Sequence, residues 1–564
     1  MGIYVNPGNE SMQRAVNSEI YVDKTGLLKI LNNNIGTEKC YFAVSRARRF
    51  GKSMAAGMID AYYSRGCDSK ELFEPYEIAR DPDFEKYLNK FNVLHFDVAS
   101  FLNEQGEISE TIKRMDSRLL KDMLGEFPYL EELSPVSSAG AMAEVYRRDK
   151  IQFVVIIDEC DCIIRDAAEN EELIRDYLKY LRGFFKTEES KQFLALGYIT
   201  GILPIKKVDG ESALNNFIEF TMTDPRTLQS YFGFTQEEID GLCRRYGRAP
   251  EDMRDWYDGY YMYAADYTSE ACGGGESGRD NEDGSVRYFN GGFQRLKHIY
   301  NPNSAVNAFM YRELVSYWKN TGSFASLRNF ITLNHAGLKD DVISMLAGER
   351  IGVDITGFQN DVTSFKSKDD VLACLIHMGY LAYDALRKEA FIPNREVAEV
   401  FEAAIKTGDW DDVGDALRRS NEVLRAVKAG DEGKVAKIIS ESHQDYASII
   451  NYNDENALAT AIMMSFYTAR ADYYVKRELP AGRGFADLAF IPKEQGKAPA
   501  MIVELKWNRS ARAAIKQIKD KSYTGFLSDY HGEIILVGIN YTKKTGKYTC
   551  RIEKECYYSQ PVGL

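Results

Sequence analysis

The sequence contains no CxxC pair, and its nine scattered cysteines (Cys40, Cys67, Cys160, Cys162, Cys243, Cys272, Cys374, Cys550 and Cys556) have no matching histidines. That excludes a zinc clip, and an odd, scattered set makes no disulfide framework. Long apolar runs are missing too. None approaches the ~18 residues of a membrane span, and the opening "MGIYVNPGNESMQRAV" lacks the basic-then-apolar order of a secretory signal. The expectation is a reduced, cytoplasmic setting with no membrane. Positive charge is short as well: a formal net charge of −13 at pH 7 argues against general adhesion to nucleic acid. No internal repeat is evident. His95, His298, His377 and His443 have no partner legible in the sequence, so no role follows for them.

What is present suffices for several folded domains. At 564 residues the chain exceeds one compact core, and a prior of roughly 100 to 200 residues per domain gives about three or four. The charge is unevenly spread. Residues 466–564 hold 17 Lys and Arg against 10 Asp and Glu, an excess of seven positive charges that leaves the remainder at −20. Contact with nucleic acid is therefore expected at the C-terminal end.

Four apolar, β-rich runs punctuate the first 200 residues: "KCYFAV", "NVLHFDV", "FVVII" and "FLALGYIT". Alternating with longer helical stretches, they predict a parallel sheet covered on both faces. Residues 211–400 read as mostly helical, interrupted by the glycine-rich polar stretch 269–285, an exposed insertion by composition. Charged amphipathic helices fill 401–445, and the last 120 or so residues return to an α/β alternation.

The stretch "SRARRFGKSMAAG" ends like a phosphate-binding loop, G-x-x-x-x-G-K-[ST], with Gly51, Lys52 and Ser53 as its last letters and Arg46 in place of the first glycine. It follows an apolar run and can open a helix, where the first N–H groups face an anion. Lys52 would reach the β- and γ-oxygens, Ser53 a Mg²⁺ ion, and Arg48 or Arg49 the phosphates or a bordering domain. After "FVVII" come Asp158 and Glu159. There the first carboxylate can hold Mg²⁺ through water while the second polarises the attacking water. Thr200, ending "YIT", is a candidate sensor of the γ-phosphate. A GKS or a strand-end acid pair alone is bland, but in this order the two support each other.

Together, "YVDKTGLLKIL", "RRFGKS", "IIDECD", "TGILPI", "YFGFTQEEID", "WYDGYY" and "IYNPNS" resemble the AAA-ATPase-like family of bacterial proteins that carry a C-terminal PD-(D/E)XK nuclease-like domain. The likeness spans nearly the whole chain. That family's loop reads R-P-R-R-F-G-K-S, so Ala47 replaces its proline. The resemblance implies ATP as ligand and an α/β multidomain chain: a P-loop domain over 1–210, a helical lid or middle domain over 211–400, a helical connector over 401–445 and a nuclease-like α/β domain over 446–564.

In that last domain, "FADLAFI" and "AMIVELKW" suit a hairpin. Glu504 and Lys506 share one strand face, and Asp487 can meet Glu504 around a divalent ion, Mg²⁺ or Mn²⁺. Lys506 would orient or activate the attacking water. The resemblance adds Glu455 as a further metal carboxylate, and Gln517 with Tyr523 as the Q-(x)n-Y helix beside such sites. Arg477, Arg483, Arg509 and Arg512, with Trp507, are candidates for phosphate or base contact.

Two functions follow as expectations. The first is an ATP-dependent or ATP-regulated nuclease acting on nucleic acid, DNA rather than RNA. The second is an ATP-controlled binding module or switch whose nuclease-like fold is non-catalytic and only binds nucleic acid or a protein partner. A homo-oligomer would be needed if a finger arginine comes in trans, and no arginine can be assigned to that task.

Overall fold

The four apolar runs become strands of one sheet. β1 (Tyr41–Ser45), β2 (Asn92–Asp97), β3 (Phe153–Asp158) and β4 (Leu194–Gly201) are joined by β5 (Ile218–Phe220) in the order β2–β3–β4–β1–β5, all neighbours parallel. Every residue of β1, β3 and β4 is buried, as a parallel sheet with both faces covered requires. The structure is a computed structural model that describes residues 2–205, 214–266, 286–289, 292–318, 323–331, 333, 335, 337–358, 365–406, 411–447, 462–481, 484–493, 498–520, 530 and 532–557. The insertion expected at 269–285 lies outside them.

Parallel strands present their C-terminal ends at one edge, where open α/β sheets hold ligands. Val44 is level with Thr200, and Asp97 with Asp158. The loop after β1, the carboxylates after β3 and Thr200 on β4 therefore emerge together. From that edge the helix Lys52–Tyr63 runs back through the core, with Ala56, Ile59, Ala61, Tyr62 and Tyr63 fully enclosed. The sheet reaches past residue 210 for its fifth strand.

The middle is helical, with starts legible in the sequence. Thr235 and Glu238 form a reciprocal capping box on the helix Gln236–Tyr246, Pro250 opens Pro250–Tyr257, and the Asn301 side chain caps Pro302–Tyr311. Among these helices lie strands that the helical pattern did not announce: β6 (Phe234–Thr235), β7 (Tyr260–Asp266), β8 (Val286–Phe289) and β9 (Gly292–Tyr300), antiparallel in the order β6–β9–β7 with β8 also on β9. A smaller sheet orders β10 (Ile351–Gly352), β12 (Glu389–Phe391) and β11 (Ala382–Asp384). Trp256, Tyr257 and Trp318 are buried core.

The chain folds into two compact units, Met1–Trp318 with Gly352–Val397, and Lys319–Ile351 with Ala398–Leu564. The second holds a mixed sheet of β13 (Tyr473–Ala481), β14 (Gly484–Pro492), β15 (Ala500–Trp507), β16 (Gly532–Thr542) and β17 (Lys547–Tyr557), in that order. Only β15 and β16 are parallel. The helix Ala511–Asp520 lies on the crossover between them and packs on both, and the expected hairpin is β14–β15. No helix among the described residues is long and apolar enough to cross a membrane.

Candidate functional site

The missing first glycine is explained by what Arg46 does. Arg46 is absent from the left-handed positions; those of the loop are Arg49 (φ 69°) and Gly51 (φ 89°). A side chain at residue 46 is therefore tolerated. The Arg46 guanidinium turns into the core, donating to the carbonyls of Ser45 (2.9 Å) and Phe220 (2.7 Å) and lying 5.4 Å from the Phe232 ring. Burial presses its pKa down to about 10. The loop is pinned from the middle segment too: Asn301 Nδ2 donates to Arg48 O, Gly233 N to Phe50 O, and the buried Phe50 ring meets Tyr260 edge-on at 5.2 Å.

Lys52 opens the helix, and its buried ammonium donates to the carbonyls of Arg46 (3.0 Å) and Ala47 (3.2 Å). At the end of β3, Asp158 accepts from the Thr200 hydroxyl and from the Glu159 amide. Glu159 adopts φ 48°, while Cys160 N donates to Thr200 O. Glu159 stands 3.9 Å from Lys52 and 3.5 Å from Arg165, which is paired with Asp161 (2.8 Å) and Asp166 (2.9 Å). Burial lowers the Lys52 pKa against the pull of Glu159, and burial raises the Glu159 pKa against Lys52 and Arg165. Asp161 also accepts from Leu203 N, tying the acid cluster to the end of β4.

Lys52, Glu159 and Arg165 open on a cleft of about 1050 Å³, just above the ~300–1,000 Å³ of ordinary ligand pockets. Its polar part is lined by Arg48, Arg49, Gly51, Lys52, Ser53, Glu159 and Arg165, and its apolar part includes Met12, Ile20, Tyr21, Met54 and Met310. Arg48, Arg49 and Ser53 are exposed there. A helix N-terminus, a left-handed glycine and the cations Arg48, Arg49 and Lys52 beside an apolar wall fit a nucleoside triphosphate. Asp158 and Thr200 do not line the cleft; both are buried and bonded to each other beneath it.

A second cluster forms on β15. Glu504 is 1 % exposed, and one of its oxygens accepts from Lys506 Nζ (2.9 Å) and from Gln517 Nε2 on the crossover helix. The β14–β15 pairing runs to Leu488 with Val503, the neighbours of Asp487 and Glu504 in sequence. The Asp487 side chain, Glu455, Tyr523 and Arg483 lie outside what is described. The buried Glu504 carboxylate supplies oxygen donors of the kind that hard divalent cations take. Trp507 points to the other sheet face. There its ring lies 4.9 Å from Tyr541, which contacts Tyr548 and His443.

Several groups escaped the sequence reading. Asp161 and Arg165 had a signal, an acid–base pair at i, i+4. Lys24, bonded to Glu238, and the pairs His95–Asp60 and His298–Asp258 had none, because each partner is 35 or more positions away.

Residues 11–209 match the family model described as a predicted AAA-ATPase, AAA-ATPase-like, and residues 453–550 match that of the PD-(D/E)XK nuclease superfamily. No curated protein matches the sequence. The first match encloses β1 to β4 with the phosphate loop and acid pair, and the second encloses β14, β15 and the Glu504 cluster. The chain thus joins an AAA-ATPase-like domain to a C-terminal domain of the PD-(D/E)XK nuclease superfamily.

Proposed function

We propose that this nucleotide-binding, nuclease-like chain is an ATP-regulated nuclease that cuts DNA. The observation that carries this reading is that two separate phosphate-handling clusters, Lys52 with Glu159 and Glu504 with Lys506, stand in one chain. At the first, Lys52, Arg48 and Arg49 bind the phosphates, Ser53 holds the accompanying Mg²⁺, Asp158 reaches that ion only through water from beneath the cleft, and Thr200 orients Asp158. Glu159 orients water for attack. At the second, Asp487, Glu504 and Glu455 hold Mg²⁺ or Mn²⁺, which supplies charge neutralisation at the phosphodiester. Lys506 orients the attacking water, and Gln517 fixes the Glu504 carboxylate. The domain boundaries expected above belong to this proposal, as does a cytoplasmic setting, which the eight free cysteines among the described residues support.

Divalent-dependent cleavage of DNA by wild type, Lys52→Ala and Lys506→Ala tests it. Lys506→Ala abolishes cleavage, and Lys52→Ala removes its response to ATP. Normal cleavage by Lys506→Ala refutes the site. ATP binding without cleavage of any substrate leaves the ATP-controlled binding module instead, and a size measurement with and without ATP shows whether assembly follows nucleotide.

A further inference from the structure

We propose that the turn joining β16 to β17, with the turn that follows β15, forms a clamp for the phosphate backbone of duplex DNA beside the Glu504–Lys506 cluster. This rests on the nuclease reading and adds how the substrate is gripped.

Two stretches of this acidic chain, 505–519 and 534–552, contain no Asp or Glu. β15 and β16 run parallel, with Lys506 level with Asn540 and Trp507 with Tyr541, so both leave the sheet at the same edge. Two asparagines lock the exits together. Asn540 Oδ1 accepts from Arg509 N (2.8 Å), Asn508 Oδ1 accepts from Lys543 N (2.8 Å), and Asn508 N donates to Tyr541 O (2.7 Å). Asn508 holds φ 53°, a conformation asparagine tolerates. The acid-free stretches are thereby fused into one cationic edge.

Arg509, Arg512, Lys543, Lys544 and Lys547 are exposed on that edge. None makes an ion pair among the described residues, whereas Lys519 and Arg551 of the same stretches are bound to Glu553, Glu555 and Glu432. Lys543, the first residue of the turn, lies three residues beyond Asn540, the level of Lys506, which at ~3.3 Å per residue is at most about 10 Å. That is close to the axial length of about three phosphates of one strand.

The occupant follows from what the edge lacks. Single strands are held by stacking bases on aromatic rings, but Trp507, Tyr541 and Tyr548 are packed against one another, with His443 beside the two tyrosines, and both tyrosines are buried. A two-stranded ribbon tip fits the ~12 Å major groove of B-DNA, while the A-form groove of duplex RNA is too narrow for it.

The test uses the full chain and the triple variant Lys543→Ala, Lys544→Ala, Lys547→Ala, with folding checked by circular dichroism. Binding to a 30-base-pair DNA duplex is measured in EDTA from 50 to 300 mM salt. We expect Kd to rise at least tenfold and the slope of log K against log salt to fall by about one for each lysine that contacts a phosphate. Under cleavage conditions KM rises and kcat is unchanged. Lys544→Glu, a single exposed change, moves Kd the same way. Unchanged affinity and salt slope overturn the clamp while leaving the nuclease reading intact, and so does tighter binding of single strands, duplex RNA or polyglutamate than of duplex DNA. Normal cleavage by Lys506→Ala, with the triple variant still impaired in binding, overturns the nuclease assignment and leaves the clamp.

Discussion

Arg46 stands where a phosphate loop ordinarily begins with glycine, yet restoring glycine will harm this protein. Its guanidinium satisfies the Ser45 and Phe220 carbonyls and joins the ends of β1 and β5. Arg46→Gly leaves a cavity and two buried acceptors, a cost of about 3 kcal/mol. Arg46→Met refills the volume and removes a buried charge, so it costs less. Urea melts of both variants check the order, and ATP affinity does not improve in either. Arg165 makes a different prediction. It opposes the burial that raises the Glu159 pKa, so Arg165→Ala raises that pKa further and moves the acid limb of ATP hydrolysis to higher pH. An unmoved limb, measured as rate against pH, shows that Arg165, 3.5 Å away, does not tune Glu159 in the proposed hydrolysis. His298 titrates in the opposite sense. The hydrogen bond to Asp258 raises its pKa above 6.5, so its contribution to stability is full below 6.5 and is lost as pH rises through the raised value. The Tm difference between wild type and His298→Gln is accordingly larger at pH 5.5 than at pH 8.

Among elements, the crossover helix Ala511–Asp520 is held by a close approach at Gly538, the residue of β16 paired with Glu504. A Cβ there would stand 2.4 Å from the Ala511 carbonyl oxygen. Gly538→Ala must therefore lift the helix, at a cost of about 1–3 kcal/mol, and carry Gln517 away from Glu504. Cleavage assays should show a fall in kcat, and denaturant melts the lost stability. Nothing local marks Gly538 in the sequence: its φ is not left-handed, and the close approach appears only once the crossover helix folds back over β16. Four of the five strands of the first sheet are legible for the converse reason. Strands buried on both faces carry their pattern as unbroken apolar runs. β7 and β9 lie in a segment of helical pattern, and their partners depend on pairing across the chain. The candidate sites split likewise. Lys52, Asp158, Glu159, Glu504 and Lys506 stand at strand ends that local pattern reveals. The orientation of Arg46, which reaches Phe220 174 positions away, and the Thr200–Asp158 bond, 42 positions apart, arise only when separate strands are brought together.

For the whole molecule, the decisive quantity is whether ATP acts on one unit or both. A ligand that binds only the native state stabilises it by RT ln(1 + [L]/Kd), about 2.7 kcal/mol at a hundredfold excess over Kd. The cleft at Lys52 lies wholly within the unit Met1–Trp318 with Gly352–Val397, so that unit gains this stability directly. If ATP regulates the nuclease, a coupling free energy must link the two sites, and linkage makes it reciprocal. ATP then raises the unfolding transition of the Glu504 unit too, although no ATP binds there, and duplex DNA on that unit tightens ATP at Lys52. Calorimetry and hydrogen exchange on strands β3 and β15, with and without ATP, measure both effects. Lys52→Ala should abolish the two protections together, while Lys506→Ala should leave both in place because it removes chemistry and not nucleotide binding. Protection of β3 alone would show two independent activities in one chain, and cleavage by the C-terminal unit would then be indifferent to ATP.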